Sequence, residues 1–327
     1  MAEIITSDGL ERILTLELAR VTEAAAIASF DQVGRGNEHN ADQAAVDAMR
    51  RALNQCNFDG TVVIGEGERD EAPMLYIGEK VGTGKGPKVD IALDPLEGTT
   101  LTAKAMANAL AVVAVAEGGS LLHAPDTYMD KIAIGGGYPE GIVDLDADPR
   151  DNILALAKAK GVRPQEIKAC ILDRPRHADL IAKVREAGAA VALISDGDIA
   201  GVIHTSDPDT GIDIYIGQGG APEGVLAAAA LRCIGGQMQG RLLFRNDDER
   251  ARAARWGVTD LNRKYKLEDL ASGDVMFAAT GVTDGSMLKG VKRWNGGAST
   301  HSIVMRSATG TVRWIEALHN FGVKTEI

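Results

Sequence analysis

Apolar residues recur at helical spacing near the start of the chain. Leu10, Ile13, Leu14, Leu18, Val21 and Ala25 line one face, and with Asp8 and Glu11 they predict a helix over residues 8–30. A glycine-broken loop, Val33-Gly34-Arg35-Gly36, follows. Asn40 with Gln43 three residues on then reads as the cap of a second helix over 41–54. The pattern next shortens. Thr61-Val62-Val63-Ile64 predicts a buried strand that runs into Gly65-Glu66-Gly67-Glu68-Arg69-Asp70-Glu71. Residues 74–81 read as extended, 82–88 as a glycine-rich turn, and 89–93 as a second strand. That strand ends in Asp94-Pro95-Leu96-Glu97-Gly98-Thr99-Thr100, where Pro95 is expected to stop the ladder, and a helix begins at about Leu101.

After Pro149 helices and strands alternate. Helices are expected over 153–160 and 178–186, strands over 167–172, 190–194 and 212–216. The last strand enters Gly217-Gln218-Gly219-Gly220-Ala221-Pro222-Glu223-Gly224 and an alanine-rich helix, with Pro222 suited to its first turn. This pattern predicts a mixed α/β fold in two lobes: an N-terminal α+β lobe over 1–149 and a C-terminal α/β lobe over 150–327. The 327 residues suit two lobes sharing a cleft. Residues 246–273 are polar and read as a surface helix plus loop.

Composition narrows the picture. Only 4% of residues are aromatic, so the core must rest on Ala, Val, Ile and Leu. The net charge of −11 offers no basic field to release counterions, which argues against nucleic-acid and anionic-membrane partners. An anionic substrate then requires a metal ion or a local Arg/Lys cluster at its site. Three scattered cysteines, Cys56, Cys170 and Cys233, read as reduced thiols of a cytoplasmic protein. MAEIITSDGL lacks the regions of a signal peptide. The apolar stretch 109–116 is far short of the ~20 residues that span a bilayer.

Two acidic turns at strand ends carry the strongest chemical signal. Glu66 stands between two glycines, and Asp94 and Glu97 flank the Pro95 turn. Two carboxylates about 4 Å apart repel by roughly 4 kcal/mol at an effective dielectric of about 20, so convergence needs protons or cations. Hard oxygen donors without His or Cys nearby suit Mg²⁺ or Mn²⁺ rather than zinc. Taken singly, each turn also reads as a solvated loop. Thr99 and Thr100 read as helix caps, or as part of a phosphate pocket whose hydroxyl orients a water. Asp42 reads as a first-turn acid favoured by the helix dipole, and Asp47 as an i,i+4 partner of Arg51. Glu223 adds a carboxylate in the second half. Arg174 and Arg176, at a strand end, form a natural phosphate clamp. Asp196-Gly197-Asp198 reads either as a metal turn or as a plain Asp-Gly turn. Tyr128 and Lys131 suit a sugar or phosphate, or ordinary surface. His123, His204, His301 and His319 read as structural.

Gly82-Thr83-Gly84-Lys85-Gly86 has the wrong spacing for a phosphate-binding P-loop, and no serine-hydrolase elbow or zinc-protease motif occurs. The strand at 212–216 followed by Gly217 and Gly219 partly mimics a dinucleotide fingerprint. Pro222 breaks its register, and such a module leaves Glu66, Asp94 and Glu97 unexplained.

Asp94-Pro95-Leu96-Glu97-Gly98-Thr99 resembles the signature of the lithium-sensitive phosphatase superfamily. Further stretches narrow the resemblance: Gly65-Glu66-Gly67-Glu68, Tyr76-Ile77-Gly78-Glu79-Lys80-Val81-Gly82, Ala124-Pro125-Asp126 with Tyr128-Met129, and Gly219-Gly220-Ala221-Pro222-Glu223-Gly224. Together these look like class II fructose-1,6-bisphosphatase, including its fructose-1,6/sedoheptulose-1,7 members, over about residues 31–319. The resemblance implies a layered α-β-α-β-α sandwich of sugar-phosphatase type, with a metal-binding first lobe and a substrate-binding second lobe. It also implies a homodimer or homotetramer. By motif, Asp42, Glu66, Asp94, Glu97 and Glu223 are its metal ligands, joined by the Leu96 carbonyl. Thr99, Glu66 and Asp94 are catalytic. Glu97, Gly98, Thr99, Tyr128, Lys131, Arg174, Arg176, Asp196, Asp198, Gly219 and Gly220 meet the substrate. Glu38 departs from the family pattern, which has a lysine there. The implied reaction is Mg²⁺- or Mn²⁺-dependent hydrolysis of the 1-phosphate of fructose 1,6-bisphosphate; the resemblance leaves open whether sedoheptulose 1,7-bisphosphate is also hydrolysed. Inositol- or nucleotide-phosphate hydrolysis with the same metal chemistry is the alternative.

Overall fold

The computed structural model describes residue 10 and residues 14–67 and 74–323. The front of the first expected helix and the acidic stretch 68–71 lie outside the described residues. The first helix, α1, spans Leu14–Phe30, and α2 spans Glu38–Leu53. Its cap is Asn37, whose Oδ1 accepts the Asn40 N–H at 3.0 Å, so the cap lies three residues before the expected one. Asp47 accepts from Gln43 Nε2 at 2.8 Å in place of the expected arginine.

Then come β1 (Asp59–Ile64), the two-residue β2 (Lys80–Val81) and β3 (Lys88–Glu97). Most of 74–81 is turn rather than the expected strand, with Leu75 at φ +54. The helix after β3 is a five-residue segment, α3 (Thr99–Ala103), capped by Gly98 rather than by either threonine. β4 (Leu110–Glu117) and β5 (Tyr128–Ile134) follow.

In the second half, α4 (Pro149–Lys160), β6 (Lys168–Leu172), α5 (Ala178–Glu186) and β7 (Ala190–Ile194) follow the expected alternation closely. A short α6 (Asp198–Ile203) precedes β8 (Ile214–Gly220) and the alanine-rich α7 (Ala221–Ile234). The strand expected over 212–216 therefore runs on through its glycines, which pair with β5 from Lys131 to Tyr128. β9 (Gln237–Leu243) leads to α8 (Asp247–Arg255), the expected surface helix, then β10 (Tyr265–Lys266) and α9 (Leu267–Leu270). The chain closes with β11 (Val275–Gly281), β12 (Lys292–Trp294), β13 (Gly297–Arg306) and β14 (Thr311–Asn320).

The strands make two mixed sheets. One runs β12-β13-β11-β4-β3-β1-β2, with β14 paired to β13; the other runs β10-β9-β5-β8-β6-β7. Sheet membership does not follow residue 149. β5 belongs to the second sheet, and β11 to β14 return to the first. The reason lies in pairing: the apolar run of β4 is completed antiparallel by β11, far away in sequence.

Side-chain alternation builds the layers. Along β4, Ala111, Val113 and Val115 face a core with α1 and α2, whereas Leu110, Val112, Ala114 and Ala116 face a core with α7. In the second sheet Met129, Cys170 and Tyr215 face that same α7 core, while Ile132, Ile171 and Ile216 face α4 and α5. Strands buried on both faces read as unbroken apolar runs, as here. The result is the expected α-β-α-β-α sandwich. Its central layer holds α7, whose Ala227, Ala228, Ala229 and Ala230 are all buried. Small side chains on every face let this helix sit between two sheets.

Candidate active site

β1 and β3 run parallel in one sheet, and β6 runs parallel to both β7 and β8 in the other. The carboxyl ends of these strands, with the start of α7, open on one cavity of about 490 Å³. Strand ends of this kind are where open α/β sheets hold ligands. The cavity is lined by Asp42, Glu66, Asp94, Glu97, Gly98, Thr99, Tyr128, Arg174, Arg176, Asp196, Asp198, Gly219, Gly220 and Glu223. Every residue expected at the site lines it except Lys131.

Asp94 and Glu97 reach the same cavity because β3 is irregular. Residues three apart on a regular strand face opposite ways. Here Asp94 pairs with Val112 and Glu97 with Leu110, so three steps on β3 match two on β4. That β-bulge re-aims the pair and accommodates Pro95 inside a strand it was expected to end. Glu66 is held by the turn folded back over the end of β1, its N–H donating to the Leu75 carbonyl at 3.0 Å. A Cβ on Gly65 would meet that same carbonyl oxygen at 2.1 Å. The turn is fastened by Glu79, which pairs with Arg50 and accepts the Leu75 N–H.

The acids raise one another. Burial and Asp42 push Glu66 up to about 8. Burial, Glu66 and Glu223 hold Asp94 well above the usual carboxylate range, against the Leu96 N–H that donates to it at 3.0 Å. Glu97 is raised by burial, then by Asp94, Asp198 and Glu223, against a 3.2 Å bond from the Ile199 N–H. Burial and Asp198 take Glu223 to about 7. Asp42 is raised by burial. Glu97 Oε2 and Glu223 Oε2 are buried without a hydrogen-bond partner. Orphaned oxygens among crowded acids, with no thiol or imidazole lining the cavity, fit a hard divalent cation. Among the described residues, no three His, Cys, Asp or Glu side chains already form an ion cage.

The same cavity is also lined by two arginines. Arg174 bonds the Asp173 carbonyl at 3.1 Å, and its guanidinium lies 3.9 Å from Asp196. Arg176 donates to the Gln218 carbonyl at 2.7 Å, with its guanidinium 4.9 Å from the Tyr128 ring centre. A cavity lined both by crowded acids and by two guanidiniums suits a substrate with more than one anionic group.

Residues 12–319 match the family described as bacterial fructose-1,6-bisphosphatase, glpX-encoded. The chain belongs to the class II fructose-1,6-bisphosphatases. It is 47% identical over 324 residues to fructose-1,6-bisphosphatase 1 class 2 of Escherichia coli (strain K12), covering 95% of this chain and 96% of that one. The fructose-1,6-bisphosphatase class 2 of Shigella flexneri is similar to the same extent.

In this class II chain Lys131 lies beneath the cavity rather than in it. The side chain is fully buried, and its ammonium donates to Asp198 and, at 2.8 Å, to the Gly220 carbonyl. Asp198 opens α6 after the left-handed Gly197 and takes the Tyr215 hydroxyl at 3.4 Å, so the Asp196-to-Asp198 segment is a helix start with a buried ion pair. The pair sets the floor under Gly220, where a Cβ would meet Glu223 Oε2 at 1.8 Å. Lys131→Met is expected to destabilise the protein by about 3–5 kcal/mol in chemical denaturation, because it strands a buried carboxylate. Lys131→Met/Asp198→Asn should recover most of that loss. An unchanged midpoint for the single variant would contradict the assignment.

His177 was not singled out by the sequence. Its Nε2 accepts the Gln218 N–H at 2.9 Å and its Nδ1 donates to the Leu172 carbonyl at 2.7 Å, tying the ends of β6 and β8 beneath the arginines. Burial lowers its pKa, which favours the neutral ring this pairing requires. His123 lies against Trp256 and His319 is bonded to Thr300; neither lines the cavity.

Proposed function

We propose that the chain hydrolyses the 1-phosphate of fructose 1,6-bisphosphate, giving fructose 6-phosphate and inorganic phosphate, with sedoheptulose 1,7-bisphosphate as a second substrate. One observation carries this: carboxylates from α2, the turn after β1, β3 and α7, two of them with buried, orphaned oxygens, share a cavity with two guanidiniums. Asp42, Glu66, Asp94, Glu97 and Glu223 would hold Mg²⁺ or Mn²⁺. Such an ion neutralises charge on phosphoryl oxygens and acidifies water. Thr99 orients the attacking water and Glu66 takes its proton. The P–O bond to C1 breaks, and the sugar oxygen gains a proton in exchange. Arg174 and Arg176 bind the distal phosphate, and the backbone of Gly219 and Gly220 forms the wall beside it. Positioning and fixed charge are the main levers on phosphoryl transfer.

The two sheets serve as the two lobes, with the site between them. The Asp94-to-Thr99 bulge supports a wider kinship with the lithium-sensitive phosphatases, for which inhibition by Li⁺ would be the signature. A cytoplasmic location is supported by three buried free thiols. Among the described residues no helix is long and apolar enough to cross a membrane. A homodimer or homotetramer is supported by the exposed Trp294, Trp314 and Leu318 on β12 and β14.

Phosphate release tests the proposal, with Mg²⁺ and Mn²⁺ assayed separately. Sugar bisphosphates should exceed inositol and nucleotide monophosphates by orders of magnitude. Comparable turnover of an inositol monophosphate would favour the alternative instead.

A further inference from the structure

Arg176 is held by neutral groups. Among the described residues no carboxylate comes within ion-pair distance of it; its partners are the Gln218 carbonyl and the Tyr128 ring. A guanidinium without a counter-charge, resting on an aromatic face at a cavity wall, is ready for an anion. Where Tyr128 stands therefore decides where Arg176 stands.

Tyr128 has a second neighbour, Arg245, whose guanidinium lies 5.1 Å from the ring centre. Arg245 follows β9 and does not line the cavity. Two like-charged groups beside one ring repel each other, so Arg245 needs an anchor of its own. That anchor is Glu249, in the first turn of α8 and only 1% exposed. Its carboxylate accepts Arg245 Nε at 2.6 Å and the Arg245 backbone N–H at 2.7 Å. It also lies 3.0 Å from the hydroxyl of Thr127, the residue before Tyr128, which shares its single proton between Glu249 and the Leu243 carbonyl at the end of β9. Asn246 fixes this turn by capping the Glu249 N–H at 2.9 Å. A buried carboxylate thus grips both the residue beside Tyr128 and the arginine against its ring.

We infer that Arg245 and Glu249 are positioning residues for distal-phosphate binding, acting through Tyr128 on Arg176. This rests on the distal phosphate meeting Arg176, as proposed above. The reacting phosphate meets the acids instead, so these residues govern KM and leave kcat nearly untouched. α8 thereby gains a functional role that its polar sequence does not advertise.

Steady-state kinetics with fructose 1,6-bisphosphate on the full, metal-loaded chain tests this. Glu249→Gln should raise KM about tenfold with kcat within about twofold. In a Tyr128→Ala background the same substitution should add nothing, since its effect passes through the ring. Arg245→Lys keeps a charge for Glu249 but loses the flat guanidinium, and should raise KM about threefold without lowering the melting temperature. The inference is overturned if Glu249→Gln leaves KM unmoved or lowers it, reduces kcat alone, or raises KM equally with Ala at 128. Arg176→Met separates the two levels. If it raises KM while Glu249→Gln does not, only this inference fails; if it too leaves KM unmoved, the distal-phosphate assignment falls with it.

Discussion

Asp94→Asn is expected to lower phosphate release by about 10³-fold or more, while raising the melting temperature of the ion-free protein. The two effects share one cause. Asp94 is buried beside Glu66 and Glu223, and its carboxyl is held well above the ordinary range. A carboxyl whose folded pKa exceeds its unfolded value of about 3.9 costs stability above that value and nothing below it. The gain from asparagine should therefore be present at pH 7 and vanish toward pH 3. Asparagine keeps the shape, and its oxygen can still accept the Leu96 N–H, but it carries no charge to hold a cation. Activity and melting temperature measured on one preparation check both halves. A variant that loses activity and also melts lower would mean that Asp94 supports the fold instead.

Arg176→Met should raise KM for fructose 1,6-bisphosphate by about 30- to 150-fold, corresponding to a lost charge-assisted contact of roughly 2–3 kcal/mol. kcat should stay within a few-fold, because the broken bond belongs to the other phosphate. Hydrolysis of fructose 1-phosphate, which has no distal phosphate, should barely change. The preference for bisphosphates would then shrink by the same factor that KM rises. A fall in kcat with KM unmoved would place Arg176 at the reacting phosphate and reverse the orientation of the substrate.

Much of this was legible in the chain because it depends on local pattern. α5 and β7 fall where amphipathic spacing and an apolar run put them, since neither needs a distant partner to choose its bounds. The acids of the cavity were legible as residue types at strand ends. What stayed hidden was set by pairing across the fold. Pro95 has two outcomes in a strand, an end or a bulge, and the register with β4 selects the bulge. Lys131 read as surface or substrate contact, but it shares a strand face with Met129 and Ala133, which turn inward toward α7. Arg245 and Glu249 lie beside or within a polar stretch, and only packing of α8 against Thr127 and Tyr128 shows their use. The glycines of β8 read as a loop because nothing local reveals that β5 lies alongside.

In the proposed mechanism a cation replaces protons among crowded acids. At pH 7 Glu66, at about 8, and Glu223, at about 7, retain much of their protons in the ion-free protein. Cation binding needs the carboxylate form and must expel them. Mn²⁺ should be titrated calorimetrically into the ion-free chain in two buffers of different ionisation heat. Saturable binding with net proton release at pH 7, shrinking toward pH 9 and lost in Asp94→Asn, is expected. No saturable binding, or binding that expels no proton and survives in Asp94→Asn, would contradict it.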